Sequence, residues 1–100
     1  MEENVKKELD TIGEMVLRWK ESYLGWATSD RGNDYLIQEF SEEISTYVSP
    51  LVRRLLETNH LSLFEHNEFM ESCYSQINEL RDLIKIKEAE TKQPQKGIWA

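Results

Sequence analysis

Few residues in this 100-residue sequence are of types that could do chemistry. The histidines are His60 and His66, and the single cysteine is Cys73. Glu57-Thr58-Asn59-His60 has the Glu-x-x-His spacing that, on a helix, sets a carboxylate and an imidazole on one side, as carboxylate-bridged di-metal bundles require. Those bundles need the motif twice, with two further inward glutamates. Here it occurs once, and Glu39, Glu42 and Glu43 fall mostly off the apolar seam of their segment. Glu57 and His60 are therefore the metal-ligand alternative. The leading expectation is a chain without a cofactor.

Nucleophilic catalysis has little to draw on. A reactive thiolate needs a nearby cation or a helix N-terminus. Cys73 has Glu71, Ser72 and Tyr74 around it and lies on an apolar seam, so it reads as a small buried hydrophobe. Four glycines form no phosphate-binding loop or nucleophile elbow, and no Cys/His zinc spacing occurs. No catalytic residue is assigned, and the chain is expected not to be an enzyme.

Aromatic residues are the stronger candidates. Trp19, Tyr23 and Trp26 follow one another on one helical seam. They read either as core or as an exposed patch for a partner, since aromatics dominate interface hot spots. Trp26 and Arg31 fall in or beside the break at residues 25–34, and loops of this kind often carry function. At the far end, Ile98 and Trp99 interrupt a polar stretch and could anchor it in a groove. Trp19, Tyr23, Trp26, Arg31, Ile98 and Trp99 form the candidate partner-binding set.

The elements that must position these residues are helices. Val5, Leu9, Ile12, Val16, Trp19, Tyr23 and Trp26 are spaced alternately by four and three, a heptad seam. Gly13 interrupts good helix formers and costs about 1 kcal/mol against alanine. A second helix should carry Leu36, Phe40, Ile44, Tyr47, Val48, Leu51 and Leu55 on one face, opened by Asn33 or Asp34 as N-cap. Pro50 interrupts it. Because the apolar phase reads through the proline, a kinked, nearly continuous helix is expected rather than a break. After a short connection at residues 58–62, Ser62 and Glu65 form a capping box. A third helix follows with Phe69, Met70, Cys73, Ile77, Leu80 and Ile84 inward. The short connection predicts antiparallel neighbours. The expected fold is all-α: three long amphipathic helices in an antiparallel bundle over residues 1–88, then a disordered polar tail over 89–100.

Composition agrees with this class and excludes others. Hydrophobic residues are 39% and charged residues 31%, which fits a globular or coiled protein rather than a disordered one. Four glycines and two prolines are too few for a turn-rich β fold. No apolar run approaches the ~18–20 residues of a membrane span, and the acidic start resembles no signal peptide. With one cysteine the chain is expected to be cytoplasmic. The net charge of −7 is uneven. Residues 28–80 hold ten acids against three bases, whereas residues 81–100 hold five bases against three acids. No dense basic stripe serves nucleic-acid phosphates, and an anionic membrane surface is disfavoured. The acidic middle either solubilises the chain or faces a basic protein surface. The functional expectation is a non-catalytic interaction module, an adaptor, regulator or subunit of an assembly. Broad apolar stripes add the expectation of a homodimer.

Overall fold

Three amphipathic stripes in one 100-residue chain can bury one another, and the chain folds accordingly. The computed structural model describes residues 2–28 and 32–99, with side chains as far as residue 89. All regular structure among the described residues is helical: α1 (Glu3–Trp26), α2 (Asp34–Glu43), a π-helical turn (Ile44–Val48), α3 (Ser49–Glu57) and α4 (Leu63–Trp99). α2, the π turn and α3 follow without a gap and make one middle helix. One core joins Val5, Leu9, Ile12, Val16 and Tyr23 of α1 to the inner faces of the middle helix and α4.

Side-chain partners give the packing register. Between α1 and the middle helix they pair in reverse chain order: Trp19 meets Tyr47, Tyr23 meets Phe40, and Glu2 approaches His60. Between α1 and α4 the order is the same in both: Lys20 bonds Gln76, and the Leu24 carbonyl accepts from Lys87 Nζ.

The middle helix departs from the expected seam. Its buried residues are Leu36, Phe40, Ile44, Val48, Val52 and Leu55. The first four steps are all of four residues. Each outruns a 3.6-residue turn by about 40°, so an unbroken α-helix would carry Val52 roughly 160° away from Leu36. The π turn accommodates one extra residue, shown by the Ser49 N–H bonding to the Ile44 carbonyl, and takes back about 100° of that drift. Tyr47 and Leu51, expected inside, are consequently 59% and 42% exposed. The apolar phase does slip, and Val48 and Val52 take the inner positions. The wide turn lies directly before Pro50, which has no N–H to offer the preceding carbonyls. The helix is not broken there.

The connections have specific locks. Asn59 adopts φ 63°, the His60 N–H bonds the Leu55 carbonyl and the Asn59 N–H bonds the Leu56 carbonyl. This is a Schellman close with asparagine in the left-handed position. Leu61 then turns inward and is buried. The expected capping box is present: the Ser62 N–H donates to Glu65 Oε1 at 2.9 Å, and the Glu65 N–H donates to Ser62 Oγ at 3.1 Å. These bonds hold the Glu65 carboxyl below its ordinary range. At the other end buried Asn33 bonds the Thr28 N–H and carbonyl, and donates to Glu88 Oε2 at 2.8 Å. It acts as a clasp between the 27–33 connection and α4 rather than as a simple N-cap.

The α4 backbone runs past Ala89 to Trp99, where the sequence predicts an irregular tail. The stretch Lys85–Gln93 contains only residues that a helix accepts, with Pro94 the first breaker.

Candidate functional site

Along α1, Trp19 and Tyr23 lie on the flank that meets the middle helix, and Trp26 lies against Tyr23. Burial separates them. Tyr23 is buried, Trp19 is half-buried, and Trp26 is 61% exposed. Tyr23 is the hub. Its ring is edge-on to Trp26, with centroids 5.3 Å apart and planes at 88°, and lies 5.6 Å from the ring of Phe40. Trp19 stands 6.4 Å from Tyr47 across the interface. All three separations fall within the range of favourable aromatic pairs.

The middle helix contributes acids beside these rings. Tyr23, Glu39, Glu42, Glu43, Thr46 and Tyr47 line an open groove of about 270 Å³. The Tyr23 hydroxyl donates to Glu43 Oε1 at 2.6 Å. Burial, this bond and the neighbouring Glu43, Glu39 and Glu42 charges all push the phenol well above its ordinary range. Tyr23 therefore stays protonated and is a hydrogen-bond donor, not a base. Three carboxylates beside exposed aromatic faces favour a cation: the carboxylates by charge, the rings by their quadrupole.

The remaining candidates are placed differently. Arg31 lies outside the described residues, as do the side chains of Ile98 and Trp99. Glu57 is the last residue of α3, and His60 sits beyond the helix end, so the two share no helical face. His60 Nδ1 instead faces Glu2 Oε1 at 3.6 Å. Among the described residues no three His, Cys, Asp or Glu side chains are placed to hold a metal ion. Cys73 is buried, and burial pushes its thiol up to about 11.

Sequence reasoning missed Tyr47 as a surface residue and placed Glu39, Glu42 and Glu43 no closer than off the seam. Four-residue spacing from Leu36 to Val52 was the available signal. It also missed Lys20, which is buried with Nζ bonded to Gln76 at 2.7 Å and 3.1 Å from Glu79. A lysine one position after Trp19 gives no sign of burial without knowledge of what faces it.

The fold and groove define the chain's class, an all-α helical bundle with an aromatic, acidic surface groove. Among the described residues no helix is long and apolar enough to cross a membrane. Comparison with protein-family models, with curated proteins and with solved structures finds no match.

Proposed function

We propose that this chain is a non-catalytic protein–protein interaction module, an adaptor, regulator or small subunit of an assembly, whose α1–middle-helix groove receives a basic segment of a partner protein. The observation that carries the reading is Tyr47, 59% exposed, in one groove with Glu39, Glu42 and Glu43, while Trp26, 61% exposed, packs edge-on against Tyr23 of the same groove. Large aromatics left on a surface beside unneutralised carboxylates suit a lysine or arginine side chain lying over a ring with its charge at the acids. The net charge of −7 would steer such a partner from a distance.

The test is a fluorescence titration with a lysine- and arginine-rich peptide, since Trp19 packs against Tyr47 and Trp26 against Tyr23, two residues that line the groove. Saturable binding that weakens with salt is expected. Trp26→Ala should weaken it roughly tenfold, the loss of one anchor contact of ~1.4 kcal/mol. Glu42→Lys should weaken it further. Equal affinity in wild type and both variants would remove the groove from the function.

A further inference from the structure

A second groove is lined by α1 and α4 alone. Near the chain's N-terminal end it is a hollow of about 350 Å³ whose walls include Gly13, Leu17, Phe69 and Cys73. Farther along the same two helices lies a hollow of about 550 Å³ with Leu24, Gly25, Leu83 and Ile86. Between them Lys20 is bonded to Gln76 and Glu79. The walls are incompletely covered: Leu17 is 42% exposed and Ile86 53%, while Phe69, Leu24 and Leu83 are half-buried. Gly13 adds a further mark. A Cβ there would meet nothing within 4 Å, so packing within one chain does not require glycine, and alanine would favour the helix.

Charge on α4 indicates the occupant. From Leu63 to Glu79 the helix carries Glu65, Glu68, Glu71 and Glu79 and no lysine or arginine. From Leu80 to Ala89 Arg81, Lys85 and Lys87 outnumber Asp82 and Glu88. A helix acidic in its first half and basic in its second is complementary to itself when reversed, and repels itself when aligned.

We infer that the α1–α4 groove is closed by a second copy of this chain, packed about a two-fold axis with its α4 antiparallel to the first. One self-complementary patch then covers itself: the stripe of Leu17, Leu24, Phe69, Leu83 and Ile86 meets the same stripe, and the acidic half of each α4 lies beside the basic half of the other. This surface shares no lining residue with the aromatic groove, so the two assignments stand or fall separately.

The experiment is light scattering and sedimentation of the full chain across a concentration series. A mass of twice 11.9 kDa that dissociates on dilution is expected. Leu17→Glu and Ile86→Glu, both at exposed positions, should each shift the midpoint at least tenfold toward monomer with unchanged helical circular dichroism. Tyr47→Ala, in the other groove, should leave it unmoved. A nitroxide on Phe64→Cys reads orientation, because Phe64 is 73% exposed and the native Cys73 is buried. Antiparallel packing separates the two labels by roughly 40 Å. A monomer at every concentration, or a dimer indifferent to both glutamate variants, overturns the inference, and a short label distance overturns the antiparallel arrangement.

Discussion

The Tyr23 phenol, buried under Trp26 and Phe40, donates a 2.6 Å hydrogen bond to the Glu43 carboxylate of the middle helix. One side chain thus ties α1 to the middle helix at the floor of the aromatic groove. Its consequence for stability has a definite sign. The native state holds the Tyr23 proton more tightly than the unfolded chain, whose tyrosine titrates near its ordinary 10.0. The contribution is fully present below that pH. It is lost progressively above it, because the unfolded state then binds fewer protons than the native one. Urea denaturation across alkaline pH should show a falling midpoint that flattens in Tyr23→Phe. At neutral pH that variant should lose about 1.5–3 kcal/mol, the worth of a hydrogen bond to a charged acceptor.

The π turn makes a prediction about chain length. An extra residue in one helical turn can be removed without rotating the flanks, whereas a deletion in a regular α-helix turns everything beyond it by about 100°. Without Tyr47 the buried positions would follow one another by 4, 4, 3, 4 and 3, which averages the period of a regular α-helix. Deleting Tyr47, together with Pro50→Ala to remove the clash that an α turn would meet, should leave a cooperatively folded protein. Deleting Gln38, an exposed residue of regular α2, should abolish cooperative unfolding. Circular dichroism melts of the two deletions compare them directly. Equal damage from both would contradict the register account.

Asn59 is at φ 63°, where a Cβ costs most residue types roughly 1–2 kcal/mol. Asn59→Gly should preserve stability or raise it by a few tenths of a kcal/mol. Asn59→Ala should lower it by about 1 kcal/mol, and Asn59→Val by more, since branching at Cβ adds to the strain. Urea midpoints at constant slope give the order.

Cys73 should be a slow thiol. Its pKa, pushed up to about 11 by burial, leaves little thiolate at neutral pH, and only 3% of its surface is exposed. Alkylation by iodoacetamide should lag far behind that of a free cysteine and should accelerate to the free rate in denaturant. Rapid alkylation of the folded protein would place Cys73 outside the core.

The outer helices were legible from spacing. In α1 and α4 the alternating four-and-three rhythm put Val5, Leu9, Ile12, Val16 and Tyr23, and Met70, Cys73, Ile77, Leu80 and Ile84, inside. The capping box was equally clear, because its bonds lie within four residues. The middle helix was not. Apolar residues stand at 47, 48, 51 and 52 together, so two phases fit the same letters, and only the faces of α1 and α4 select one. The groove followed from that choice. Trp19, Tyr23 and Trp26 were marked together on one seam, but their division into buried hub, half-buried wall and exposed face depends on the neighbour across from each.

By itself, then, the sequence determined what local rules can reach: an all-α chain, the capping box that opens α4 and the inward faces of α1 and α4. These depend on periodicity and on hydrogen bonds between residues close in the chain. The tertiary structure alone decided the wide turn before Pro50, the burial of Lys20 against Gln76 and Glu79, the Asn33 clasp to Glu88, and the meeting of Tyr23 with Glu43. Each joins groups 20 or more residues apart, or settles a phase that two registers fit equally well. Their energies exist only once the partner helix is in place.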